Sequence, residues 1–252
     1  MRLKDRLEEQ YRHYNHRDFV HPDPLEFLFR YDDVNDREVA GLIASALAYG
    51  KVERILVSVE RILAPMGGNP RRFLMESGEA RIAPACEGFV HRFCKGDDMA
   101  AYLCAMRGVL EKYGSIEAAF SSGAKPGDVN ALPGLSALFR AFVEAGFPEK
   151  NHLMPDPGAG SPVKRLNLFL RWMVRKDAVD PGGWETVKPS QLIVPLDTHL
   201  HRVARELELT GRNAADMKTA LEITESLARF CPEDPVRYDF SLTRPGIRGR
   251  RD

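Results

Sequence analysis

The chain has 252 residues, enough for one large or two small lobes that each bury an apolar core. Hydrophobic residues make up 44% and charged residues 29%, which excludes the disordered and fibrous classes. Its 36 basic residues are balanced by 36 acidic ones, which argues against a protein that coats nucleic acid over its whole surface and leaves room only for a local polyanion site.

No apolar run is long enough to span a bilayer, and the opening MRLKDRLEEQYRHYN is charged rather than signal-like, so a cytoplasmic protein is expected. Cys86, Cys94, Cys104 and Cys231 lack C-x-x-C spacing and any four-thiolate pattern. They read as reduced, mostly buried small apolar side chains.

Helical spacing dominates and alternating runs are nearly absent, which predicts an all-α fold. A first helix is expected over 3–14. The next pattern runs from Asn35 to about Leu63, where Val39, Leu42, Ile43, Ala46 and Leu47 form an apolar stripe; Tyr49-Gly50 interrupts it, so two helices should meet there. From Asp97 to Tyr113 the stripe is Met99, Leu103, Met106 and Leu110, and Gly114 supplies the stop. Further helices are expected over 130–145, 162–176, 198–209 and 213–230, with a last one after Pro232. There is no internal repeat. The pattern predicts a single two-lobed helical unit spanning 1–252, with lobes of about 30–145 and 150–247.

The least helical stretches, Phe147 to Ser161 and Asp177 to Pro195, flank the most informative segment. Gly158-Ala159-Gly160-Ser161-Pro162-Val163-Lys164 reads as a glycine turn feeding a helix, with Ser161 as N-cap and Pro162 at the first helical position. Lys164 then falls in the first turn, against the positive end of the helix dipole, where the free amine of a nucleophile is favoured. Lys164, Asn167, Arg171 and Arg175 follow at steps of three, four and four and form one polar, basic face, read first as a solvated face and second as a phosphate-binding one.

Downstream, the apolar run Leu192-Ile193-Val194-Pro195-Leu196 leads into Asp197-Thr198-His199, and Leu200, Val203, Ala204 and Leu207 mark another helix. Asp197 is its expected N-cap. Most N-cap aspartates do only that work, worth about 1 kcal/mol. A carboxylate at a helix start is also held ionised, as a base or a stabiliser of positive charge must be.

Gly160-Ser161-Pro162-Val163-Lys164, followed by Val194-Pro195-Leu196-Asp197-Thr198-His199-Leu200-His201-Arg202-Val203, resembles the hairpin lysine and the V-D-T-H-V-x-R-V signature of the helix-hairpin-helix DNA glycosylase/lyase superfamily. The second motif is the specific one; the usual L-P-G-V-G-x-K-x-A hairpin is not present as such. The step of 33 residues from Lys164 to Asp197 is similar to that of the archaeal 8-oxoguanine DNA glycosylases, whose hairpin is likewise atypical. With Asp234-Pro235-Val236-Arg237-Tyr238-Asp239-Phe240, the chain also resembles an uncharacterised bacterial family of similar length. Leu132-Pro133-Gly134-Leu135 imitates the start of the usual hairpin, but Leu138 stands where its lysine would be, so it reads as an ordinary helix start.

The resemblance implies a two-lobed helical glycosylase fold with a degenerate helix-hairpin-helix element, no cofactor and no metal. The implied partner is double-stranded DNA carrying a damaged base or an abasic site, acted on by a monomer. Lys164 would attack the sugar carbon of an extruded nucleotide and form a Schiff base, and Asp197 would stabilise the charge developing on the sugar. Gly158, Gly160, Ser161, Arg165, Arg171, Arg175 and Arg202 would contact DNA, with Arg244, Arg248, Arg250 and Arg251 as a further cluster or a charged tail. Tyr49, Trp172, Trp184 and Asp239 would shape the base pocket, although a core role is the more ordinary fate of Trp172.

Two rival readings stay open. Asp197-Thr198-His199-Leu200-His201 is similar to the D-x-H-x-H of metal-dependent amidohydrolases, but that motif opens a (β/α)8 barrel needing roughly 200 residues after it, and 51 follow His201. The other is a nucleic-acid-binding protein on the same scaffold that cuts nothing.

Overall fold

The computed structural model of the chain describes residues 2–248, with side chains described through Pro245. Apart from one two-stranded hairpin, the described residues form helices and their connections, as the periodicity requires. They divide into two compact units. One comprises 1–21, 128–131 and 157–252, and the other comprises 22–127 and 132–156. The division departs from the expected lobes: the N-terminal helix α1 (Leu3–Tyr14) and residues 128–131 belong with the C-terminal segments, and residues 150–156 belong with the other unit.

The second unit holds α2 (Val34–Ala46), α3 (Val52–Leu63), α4 (Pro70–Glu76), α5 (Glu79–Ala85), the hairpin of β1 (Val90–His91) and β2 (Cys94–Lys95), α6 (Gly96–Tyr113), α7 (Ile116–Ser121) and α8 (Leu132–Glu144). Asp33 caps α2 by accepting the amides of Asn35 and Asp36. From Glu38 to Ala46 this helix is buried on every side, which makes it the unit's central element. Its two buried acids are explained by what they accept. Glu38 takes the amides of Ile116 (2.7 Å) and Glu117 (3.0 Å) at the start of α7, and Asp36 takes the amide of Arg71 (2.9 Å) at the start of α4. Helix starts leave amides unpaired, and a carboxylate from a neighbouring helix satisfies them.

The break at Tyr49-Gly50 is where expected, with Gly50 at φ +98°. Met99, Leu103, Met106 and Leu110 are buried along α6, which stops at Gly114 with φ +85°. The segment at Leu132 is an ordinary helix, and Gly134 is needed there because a Cβ would stand 2.3 Å from the Phe120 ring. Cys86 and Cys94 are buried, as is Cys231 in the other unit, and Cys104 is partly exposed; all four are free thiols.

The first unit adds α9 (Lys164–Val174), α10 (Thr198–Glu206), α11 (Met217–Ala228) and α12 (Asp239–Arg248) to α1. Tyr238 donates to Glu8, and Arg244 donates to the carbonyls of Phe19 and Val20. These bonds join the two ends of the sequence. They also correct the expectation for Arg244, whose buried guanidinium is consumed inside the fold and has no reach to a ligand. The Arg248 side chain, Arg250 and Arg251 lie outside the described residues.

Candidate active site at two helix starts

Helix α9 begins at Lys164, directly after Val163, whose backbone is left-handed at φ 37° and ψ 45°. A β-branched residue is rarely found there, and such a conformation costs of order 1–3 kcal/mol unless its surroundings impose it. Val163 is buried, its carbonyl accepts the amides of Leu166 (3.0 Å) and Asn167 (3.1 Å), and the Asn167 side chain donates to the Pro162 carbonyl (2.9 Å). The expected capping by Ser161 with Pro162 at the first helical position is therefore corrected: Val163 is the cap, no side chain serves it, and Ser161 is exposed. Gly160 has φ +80°, and its carbonyl accepts the amide of Met217, which ties the loop to the start of α11.

Helix α10 begins at Thr198 with Asp197 as N-cap, and Oδ1 accepts the amides of His199 (2.9 Å) and Leu200 (2.8 Å). The run from Leu192 to Leu196 that leads to it is buried, and Thr224 Oγ1 accepts the amide of Val194. With Oδ1 occupied by the helix, Oδ2 is left for a partner. That partner is Lys164, whose Nζ lies 3.0 Å away, with both side chains 32% exposed. Residues 33 positions apart are thus joined at two helix starts, each side chain partly open to solvent.

The electrostatics favour an ionised Asp197. Burial pushes its pKa up, but the Lys164 charge and the amides of Leu200 and His199 outweigh this and leave it below the usual carboxylate range. Behind the pair, the expected basic face of α9 turns inward. Arg171 donates to Asp180 (3.2 Å) and Asp239 (2.5 Å). Arg175 donates to Asp234 (3.0 Å), Asp177 (2.7 Å) and Asp180. Both guanidiniums are buried, so the expectations of a solvated stripe and of DNA contacts by Arg171 and Arg175 are corrected. Buried charge is tolerated only when paired and hydrogen-bonded, which this arrangement satisfies.

Two guanidiniums face four carboxylates in this cluster. Burial pushes Asp239 up to about 6 despite Arg171, and the negative charges of Asp197 and Asp180 add to the rise. Asp239 is therefore a buried partner of Arg171 and not a group that reads a base, as had been expected. Its proton is held more firmly in the folded than in the unfolded chain, so its contribution to stability declines as pH rises from about 4 to about 6. Asp197 has the opposite sign: its contribution is present above about pH 4 and lost as pH falls through its depressed folded value. Carboxyl-carbon NMR is expected to show Asp239 titrating near 6 and Asp197 below the ordinary range; an Asp239 midpoint near 4 contradicts the assignment.

The other expected site residues divide in the same way. Trp172 is 0% exposed, its Nε1 has no hydrogen-bond partner among the described residues, and it belongs to the core. Trp184 is buried edge-on against Phe169, with ring centroids 5.1 Å apart. Neither forms an open stacking surface, so their expected place in a base pocket is corrected. Tyr49 is in the other unit, beside His91, Phe93 and His152. Gly158, Gly160 and Ser161 are exposed in the loop before Lys164, and Arg165 is half-buried. Arg202 is exposed on α10, where it donates to His199 Nδ1 (3.1 Å).

The D-x-H-x-H reading fails on geometry. Residues 198–206 are helical, and His201 Nε2 meets the Arg212 carbonyl at 3.0 Å while His199 faces Arg202. Among the described residues, no three His, Cys, Asp or Glu side chains are grouped to hold a metal ion.

Fold and site together define a mostly helical protein with a lysine–carboxylate pair set at two helix starts. Residues 23–248 match the family described as “Protein of unknown function (DUF2400)”, and the chain belongs to that family. Comparison with curated proteins and with solved structures gives no match. No helix among the described residues is long and apolar enough to cross a membrane.

Proposed function

We propose that this protein is a DNA glycosylase with abasic-site lyase activity, and that the loop entering α9 takes the place of the superfamily's hairpin. The observation that carries the reading is the 3.0 Å approach of Lys164 Nζ to Asp197 Oδ2, each side chain partly open to solvent. It is supported by the sequence motifs around both residues and by the exposed glycine loop before Lys164.

In this mechanism the substrate nucleotide is rotated out of the duplex, because its sugar carbon cannot be reached within the stack. Lys164 sheds a proton, for which Asp197 is the nearest acceptor, and its lone pair forms the N–C1′ bond. The glycosidic bond breaks, and the base leaves with the bonding electrons and a proton. Asp197 relays the lysine's proton to that base and, ionised again, stabilises the positive charge left on the sugar. Ring opening gives a protonated Schiff base, and loss of the C2′ proton then expels the 3′ phosphate. Exposed amides and the glycines before α9, with Arg202, hold phosphates without reading sequence.

Borohydride reduces such a Schiff base to a stable amine. Incubated with duplexes carrying an abasic site or an oxidised purine, the protein is expected to give a covalent adduct that Lys164→Gln does not form. A non-catalytic nucleic-acid-binding protein is the second reading, favoured by the burial of Arg171 and Arg175, which removes two cations from the surface of the lysine's own helix. Duplex binding with no adduct on any lesion supports that alternative.

A further inference from the structure

The hairpin of the second unit presents chemistry that the lysine site does not use. Its two-residue turn, Arg92-Phe93, joins the paired residues His91 and Cys94. Such turns are ordinarily made by Asn, Asp or Gly, which tolerate positive φ. Here Arg92 stands at φ +57°. It folds over Gly50, where a Cβ would meet its Cδ at 3.1 Å. A turn that keeps an arginine and a phenylalanine against local preference points to a use for both.

Phe93 is 61% exposed, yet its position is fixed. Its ring stacks on Tyr49 with centroids 5.1 Å apart and planes 16° from parallel, and His152 stands edge-on at 4.7 Å. Tyr49 is in turn held by its hydroxyl to the His91 carbonyl (3.1 Å), while buried His91 bonds Ser58 Oγ (2.8 Å) and the Tyr49 carbonyl (3.0 Å). The result is a pre-organised aromatic step on a rigid base. Around it, residues 50–54 and 90–98 carry Lys51, Arg54, Arg92 and Lys95, all exposed, against Glu53, Asp97 and Asp98, the last of which is engaged by the Lys95 amide (2.9 Å) and the Asn151 side chain (3.1 Å). An exposed flat ring with cations on either side matches a single-stranded nucleic acid, whose bases stack and whose phosphates are anionic.

We propose that this hairpin is a nucleobase-stacking surface: Phe93, backed by Tyr49, takes an unpaired base while Arg92 and its neighbouring cations hold the flanking phosphates. It rests on nucleic acid being the ligand, as in the function proposed above, but not on the chemistry of Lys164. The test uses the full chain and a short single-stranded oligodeoxynucleotide containing 2-aminopurine, whose fluorescence is quenched by stacking.

Binding is expected to quench the probe. Phe93→Leu, which keeps apolar area but removes the ring, should lose the quench and bind about 5- to 150-fold more weakly, the range for one stacked base. Phe93→Trp should retain both, and unchanged circular dichroism excludes misfolding. No binding, binding without quenching, or equal quenching in Phe93→Leu overturns the proposal, as does concentration-dependent self-association abolished by Phe93→Leu in a chain that binds no oligonucleotide. In the unaltered chain, quenching without a borohydride adduct on lesion-bearing duplex removes the lyase and leaves the stacking surface, and an adduct without quenching does the reverse.

Discussion

Lys164→Gln is expected to reduce lesion-strand cleavage by at least about a thousandfold, equivalent to roughly 4 kcal/mol of barrier, because it removes the amine proposed as the nucleophile. The fold should persist. The Lys164–Asp197 pair is partly exposed, and such pairs contribute about 1 kcal/mol or less. Asp197 keeps its bonds to the amides of His199 and Leu200 in this variant. Asp197→Asn is the complementary change, since asparagine is an equally good N-cap and preserves the start of α10 while removing the charge. Its cleavage rate should fall by about 100- to 1000-fold, the effect of losing one electrostatic group aimed at developing charge. Measured single-turnover rates decide the matter, and wild-type rates in both variants would contradict the assigned roles.

The largest effect on stability is expected at Arg171. Arg171→Met leaves Asp180 and Asp239 buried without the guanidinium that bridges them. Removing one partner from a buried ionic group costs about 3–5 kcal/mol, chiefly through the charges left behind. For a chain of this size that corresponds to a fall in Tm of roughly 10 °C, readable by calorimetry. Arg171→Lys should rescue little, because an ammonium cannot place two donors in the plane that reaches Asp180 and Asp239 together. A melting temperature unchanged in Arg171→Met would mean that the cluster contributes nothing to the fold. The methionine variant also tests the backing of α9, since Asp239 lies behind Asp197 electrostatically.

Much of this was legible in the sequence, for identifiable reasons. Long helices such as α2, α3 and α6 declare themselves through apolar residues at three- and four-residue steps, and their ends through Gly50 and Gly114. The Lys164 and Asp197 pairing was legible because each residue sits at a helix start with local motifs of its own. The inward face of α9 was not legible, because a solvated stripe and a buried one share the same spacing. What distinguishes them is the set of acids, and Asp177, Asp180, Asp234 and Asp239 come from three other places along the chain. The charge balance carried a trace of it: arginines at Arg171 and Arg175 have matching aspartates downstream, without positions.

The hairpin escaped for a different reason. Strands of two residues are too short for alternation to register, and the Arg92-Phe93 turn lacks the usual glycine or asparagine signal. The short helices α4, α5 and α7 were missed likewise, having six or seven residues and little periodicity. The joining of α1 to the C-terminal segments depends on Glu8, Phe19, Tyr238 and Arg244, partners more than 220 positions apart. Periodicity is local and cannot report such bonds.

Mass-spectrometric peptide mapping of the borohydride-reduced adduct with abasic-site DNA tests the central claim most directly. The account predicts a sugar-derived mass increment on the peptide containing Lys164 and on no other lysine. An adduct mapped to a different residue, or none formed while the duplex is bound, contradicts it.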